Sequence, residues 1–206
     1  MHTSRRLLIG LTLAVSVQTL AASDPLPTFP PATANGGPRL RPYDSRSAAL
    51  LVEGLRRSSK LRTLVDQLEK GDVIVYVQMQ QSLRGRWAGA LTWIAGTQEF
   101  RYVRVSLSPA LRGSTAIATL GHELQHALEV ANEPSIIDAQ SLNAFYRQHG
   151  FSVSQRENGW DTEAARLAGE EVRQDLSESR GGRIIESLRD FDPRDWHVVY
   201  RRARER

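Results

Sequence analysis

The sequence predicts an α+β fold: an N-terminal helix, a small three-stranded sheet, a histidine-bearing helix, and further helices after it. Three observations carry that expectation. Apolar residues recur at helical spacing across residues 45–70, three short β-branched runs follow between residues 72 and 107, and helical spacing returns from residue 115. With 206 residues the chain is long enough for one buried core, and having no cysteine it builds that core without disulfides.

The first 22 residues read as a secretory signal peptide. Arg5 and Arg6 precede an apolar run from Leu7 to Leu20, and small residues follow at Ala21, Ala22 and Ser23. That run is short for a membrane span, so a short N-terminal anchor is the alternative. No later segment is apolar enough to span a bilayer, and the expected location is secreted or periplasmic. Residues 23–44 are dense in Pro, Gly and small polar residues and read as a linker or arm. A single domain is expected over 45–200, followed by a basic tail at 201–206.

Within the domain, Ala48, Leu51, Val52, Leu55, Leu61, Leu64, Val65 and Leu68 define a helix over 45–70, with a break near Ser58 and Ser59 and a stop at Gly71. The runs 72–79, 88–96 and 99–107 are close together and predict a meander. Pro109 and Gly113 mark the exit from the sheet, and Ser114 is placed to cap a helix over 115–131. Further helices are expected over 137–148, ending at Gly150, and over 161–176. The stretch 197–200 reads as a short strand.

Charge says little about partners. The formal net charge is +4, and loss of Arg5 and Arg6 with the leader brings it to +2. Acids and arginines alternate along most of the chain, and the only dense basic cluster is the terminal RRARER. No aromatic-interleaved basic groove is present, so no specific nucleic-acid partner is expected.

The chemistry concentrates in GHELQHALEV, residues 121–130. On a helix, Ile117, Leu120, Leu124, Leu128 and Ala131 form an apolar stripe. Ala118, His122, Gln125, His126 and Glu129 lie on the neighbouring face. His122 and His126 are one turn apart, so both imidazoles can meet one ion. Glu123 beside them can reach a water activated there and accept its proton. Gly121 lets another segment approach closely. The bland alternative is an exposed helix whose His and Glu residues face solvent.

Catalytic zinc usually has three protein ligands and an open position. Cysteine is absent, and beyond the pair and His2 in the leader only His149 and His197 remain. The third ligand is therefore sought among the acids. Glu129 faces the right way but sits two turns from His122, which suits it better as a polar edge of the cleft or as a partner holding an imidazole from behind. In WDTEAARLAGEEVR, residues 160–173, Asp161 shares a helix side with Ala164, Ala165 and Ala168, a small face suited to packing beside the histidine helix. Asp161 is the leading candidate and Glu163 the alternative; Asp161 as a plain helix cap is the structural reading.

GHELQH followed by DTEAARLA resembles the small HExxH zinc metallopeptidases of the gluzincin group, both minigluzincins and the ImmA/IrrE-like peptidases. In the latter the acidic ligand precedes an Glu-Ala pair by two positions, which matches Asp161 before Glu163 and Ala164. Two departures stand out: the acid is the shorter aspartate, and Ala165 occupies a place where asparagine is common. The resemblance covers about residues 45–176 and implies a zincin-like fold with Zn2+ at His122, His126 and Asp161. It implies hydrolysis of a peptide or protein substrate with Glu123 as general base, as a metalloendopeptidase rather than an exopeptidase. In that fold class the strand before the histidine helix borders the cleft, here 99–107. Tyr146, His149, Arg156, His197 and Tyr200 are candidates to steady the oxyanion. The alternative function is a catalytically inactive metal-binding envelope domain used for recognition or assembly.

Overall fold

The computed structural model describes residues 37–81, 83, 87–154, 159–179 and 192–204; the leader, most of the arm and Arg156 lie outside them. The chain runs β1 (Leu40–Pro42), α1 (Ser45–Arg57), α2 (Ser59–Leu68), β2 (Val73–Met79), β3 (Gly89–Gly96), β4 (Arg101–Leu107), α3 (Gly113–Asn132), α4 (Ala139–His149), β5 (Phe151–Ser154), β6 (Gly159–Asp161), α5 (Glu163–Glu178), a 3-10 turn (Pro193–Asp195) and α6 (Trp196–Arg204). The fold class is the expected α+β, with N-terminal helices, a small mixed sheet and the histidine helix α3 ahead of further helices. Among the described residues no helix is long and apolar enough to cross a membrane.

The predicted helix over 45–70 is two helices hinged on Ser58. This residue closes α1, its N–H donating to Gly54 O, and its hydroxyl caps α2 by accepting from Leu61 N. Asp44 starts α1 with a capping box to Ser47, and its second carboxylate oxygen takes the Met79 N–H at 2.9 Å, which ties the helix start to the end of β2.

The main sheet has four strands, not three, in the order β1-β2-β4-β3. Two expectations change. Residues 40–42, read as linker, form β1 and pair in parallel with β2, Leu40 opposite Val75; Leu40 is fully buried. Proline is tolerated there because β1 is an edge strand, where a missing N–H breaks no central ladder. The meander is also replaced: β2 pairs with β4 in parallel, Val75 opposite Val103, and β3 lies antiparallel on the outside of β4. A continuous apolar run such as Val73–Val77 buries both faces, which an inner position satisfies and an edge does not.

One face of the sheet carries the core. Val73, Val75, Val77, Leu91, Val103, Val105 and Leu107 pack with Leu51, Leu55, Leu61, Leu64, Ile117, Leu120, Leu124 and Leu128. α3 begins at Gly113, whose φ of +50° suits glycine, and Arg112 occupies the cap without a side-chain bond, so Ser114 lies in the first turn and does not cap. At its other end Arg101 of β4 donates to the carbonyls of Val130, Ala131, Glu133 and Ile136 and forms a forked pair with Asp72. The helix that bears the histidines is thus anchored to the sheet at its C-terminus.

α5 covers the other side of α3 with a small face. Ala165, Ala168, Gly169, Val172 and Leu176 are buried, whereas Ala164, expected on that face, is exposed. Small side chains bring little apolar area but permit close approach. A Cβ on Gly121 would stand 2.6 Å from Val172 Cγ2, and one on Gly169 would stand 3.3 Å from His122 Cβ. Polar anchors complete the attachment: the Asp175 carboxylate accepts from Ser58 Oγ, Ser59 Oγ and Lys60 N at 2.8, 3.1 and 2.9 Å.

Residues 197–200 lie within α6 and form no strand, and the helix runs on through residues expected in the basic tail. Val198 and Val199 favour a strand locally, but Trp196, Tyr200 and Ala203 are buried at helical spacing, and tertiary packing decides. Trp196 Nε1 donates to Leu40 O at 2.6 Å, and Tyr200 donates to Glu69 Oε1 at 2.9 Å.

Candidate metal centre

His122 and His126 project from the middle of α3, and Asp161 reaches them from the end of β6. Their ligand-type atoms all lie within 4.8 Å of one another, and all three residues are buried. Asp161 Oδ1 is 3.3 Å from His122 Nε2 and 3.5 Å from His126 Nε2. Neither Nε2 makes a hydrogen bond among the described residues, so two buried imidazole nitrogens converge on one carboxylate oxygen without satisfying each other. Buried polar atoms are rarely left so, and a cation between them would satisfy both. The donor set of two imidazoles and one carboxylate is one that zinc accepts.

Asp161 arrives by a route different from the one expected. It ends a short strand that pairs with β5, Phe151 opposite Asp161, instead of standing on the face of α5. The residue that caps α5 is Thr162, whose hydroxyl accepts from Ala165 N at 3.1 Å. The Thr162 N–H in turn donates to Asp161 Oδ1 at 2.7 Å. Glu163, the alternative ligand, points outward with its side chain 60 % exposed and pairs with Arg166. The structure brings Asp161 to the histidines and leaves Glu163 outside.

Behind the histidines, Glu129 takes the second of the two places considered for it, against an imidazole. Its Oε2 lies 2.8 Å from His126 Nδ1, and its Oε1 accepts from Thr162 Oγ1 at 2.6 Å. Burial works to raise the Glu129 pKa, but His126 and Thr162 outweigh it and hold the carboxyl below its ordinary value. An ionised Glu129 only accepts, so Nδ1 of His126 carries a proton; an ion at the centre would take the place of any proton on Nε2 and receive its lone pair.

The charges within the cluster follow from burial first. Desolvation lowers the His122 pKa, with Asp161 opposing it. At His126 burial also acts downward, but the carboxylates of Asp161 and Glu129 lift the value to about 9. Asp161 resists its own desolvation through the two imidazoles and stays well below the usual carboxylate range. Glu123 is the opposite case: fully buried, with neither oxygen hydrogen-bonded among the described residues, its carboxyl is pushed up to about 8. Asp161 is thus held ionised while Glu123 is biased towards its neutral form, a division that acid–base sites also show.

Four of the five residues considered for the oxyanion lie within the described chain, and none is aimed at the cluster as a free donor. Tyr146 is buried with its ring centroid 5.2 Å from that of His126, and its hydroxyl donates to the His126 carbonyl at 3.3 Å. His149 is exposed and its Nδ1 meets Phe145 O; His197 meets Arg194 O, and Tyr200 binds Glu69. The strand bordering the cluster also differs. β4 is bonded on both sides by β2 and β3, so it has no edge to offer. β3 is the edge strand on that side, with no further strand paired to it among the described residues, and its first residue, Gly89, lies against Glu123: a Cβ there would stand 2.3 Å from Glu123 Oε1. Sequence reasoning did not single out Gly89 or Thr162; the only signals were small residues opening the 88–96 run and a threonine following Asp161.

No protein-family model, no curated protein and no solved structure matches the chain. The triad is consistent with a zincin-like HExxH metal site on its geometry alone.

Proposed function

We propose that the chain is a zinc-dependent peptidase that cleaves peptide bonds within extended segments, exported by its N-terminal leader to the periplasm or the exterior. The observation that carries this reading is the convergence of His122 Nε2, His126 Nε2 and the Asp161 carboxylate beside a buried Glu123 that has no hydrogen-bond partner among the described residues. The two imidazole nitrogens and Asp161 are the atoms that would hold the ion. When bound, zinc supplies a Lewis acid that acidifies water and polarises the scissile carbonyl.

The remaining work falls to the protein. Glu123 takes the proton of the attacking water on its carboxylate and returns it to the departing amine. Burial raises the proton affinity of that carboxylate, while the positive charge of a bound zinc would keep it ionised ahead of the attack. Glu129 fixes the His126 ring, and Thr162 holds Glu129 and Asp161 together. β3, at the edge of the sheet beside Glu123, is the strand to which an extended peptide would add, and such pairing would suit cleavage within a chain.

The test is metal content. The mature chain, purified without a histidine tag, is expected to hold about one zinc. Glu163→Ala should keep it, and Asp161→Ala should lose most of it. A peptide library should then be cut by the parent chain and spared by Glu123→Gln. No zinc after supplementation would sink the reading, and zinc retained without cleavage of any peptide would favour the inactive metal-binding domain.

A further inference from the structure

We infer that Gly89 is a positioning residue for Glu123: the missing side chain on the edge strand is what allows the base its place beside the histidines. This rests on the peptidase reading and deepens it. An ideal Cβ at position 89 would lie 2.3 Å from Glu123 Oε1, 2.9 Å from Cδ and 3.0 Å from Cγ, so the whole end of the glutamate, and not one atom, fills the space a side chain would take.

Conformation does not explain the glycine. Gly113 alone among the described glycines has a positive φ, so alanine at position 89 would fit the backbone. In a strand, glycine costs stability relative to residues that pack. The reason to have none there is the contact with Glu123.

If a Cβ were present, either the strand or the carboxylate would have to move. The strand is held at this point: Gly89 lies opposite Leu107 in the ladder, and Ser108 N donates to Ala88 O at 2.8 Å. Glu123 makes no hydrogen bond among the described residues that would resist displacement. The base therefore yields. His122 and His126 are carried by the α3 backbone and Asp161 by β6, so the ligand set stays where it is.

That separation gives the test. In Gly89→Ala the zinc content should equal that of the parent chain, KM for a cleaved peptide should stay within about twofold, and kcat should fall about 100-fold, the loss that follows from a misplaced catalytic group. A purely structural glycine would not divide kcat from KM and metal in this way. Thermal melting of the metal-stripped protein supplies a second readout. Gly89→Ala should lower Tm by roughly 3–10 °C in the parent background. In a Glu123→Ala background the same change should leave Tm unchanged or raise it. Gly96→Ala, at the far end of β3 and crowded by Trp93 instead, should cost the same in both backgrounds. Absent zinc and absent hydrolysis in the parent chain would overturn the peptidase reading and, with it, any catalytic role for Gly89. An active, zinc-loaded parent with Gly89→Ala at parental kcat, or with equal thermal costs in both backgrounds, would overturn this inference alone.

Discussion

Replacing Glu123 with glutamine in metal-stripped protein should make the stability difference from the parent chain grow with pH. Glu123 is fully buried, neither carboxylate oxygen is hydrogen-bonded among the described residues, and its pKa is raised from 4.5 to about 8, with burial the largest cause. In the unfolded chain it titrates near its ordinary value. A raised carboxyl pKa in the fold means that ionisation destabilises: the cost is absent well below pH 4.5 and accumulates until the pH passes about 8. At about 1.36 kcal/mol per pKa unit, the penalty is about 1 kcal/mol at pH 5 and about 4 kcal/mol at pH 8. Glutamine pays a penalty for its buried amide too, but one that does not change with pH. The difference between the two proteins should therefore move by about 3 kcal/mol in favour of Glu123→Gln between pH 5 and pH 8. The Glu123 charge also helps raise the His126 pKa, so part of the difference is read through His126. The assay is urea unfolding at pH 5, 6.5 and 8 with chelator held constant, so that ligand linkage does not enter. Parallel curves, with a difference constant to about 0.5 kcal/mol, would refute the claim that this carboxylate is held in a dry, unpartnered setting.

Two further outcomes follow from the surroundings of the site. Glu129→Ala and Thr162→Val should each weaken zinc binding by roughly 10–100-fold in a competition titration, while Thr162→Ser should hold near-parental affinity, because the hydroxyl that caps α5 and donates to Glu129 is kept; equal affinities throughout would show that the imidazole needs no such support. Arg101→Ala should destabilise the fold by about 3 kcal/mol in denaturant, since it strips the C-terminal carbonyls of α3 of their donor and breaks the fork to Asp72; a loss below about 1 kcal/mol would mean that the helix end finds other partners.

How far the sequence could be read depended on how local each signal was. α3 was legible because two constraints fall on the same seventeen residues: an apolar stripe at helical period and two histidines one turn apart beside a glutamate. Chemistry points only to an acid beside the histidines, since no cysteine or spare histidine is near; the preference for Asp161 over Glu163 rests on a helix face that Asp161 does not occupy and on the resemblance, so its setting was not legible. A three-residue strand such as Gly159–Asp161 is too short to show any period, and the helical run that follows draws it in by continuity. Leu40–Pro42 was hidden in the same way by the proline and glycine around it. At α6 the local signal pointed the wrong way, because Val198 and Val199 favour a strand and only the packing of Trp196, Tyr200 and Ala203 selects a helix.

The largest gap was strand order, and it bears directly on the chemistry. Three short runs in succession fit a meander and the observed sheet equally well; what separates them is that Val73–Val77 needs cover on both faces and takes an inner place between β1 and β4. Once β2 and β4 are joined in parallel, β3 is left at the edge, running back antiparallel so that its first residue, not its last, lies opposite Leu107 at the end of β4. That end is where Glu123 lies. Gly89 meets the carboxylate only because the topology brings the start of β3 there, and no residue near 123 in sequence announces it. The same order puts β4 inside the sheet and β3 at its edge, so a single choice of pairing sets which backbone stands against Glu123.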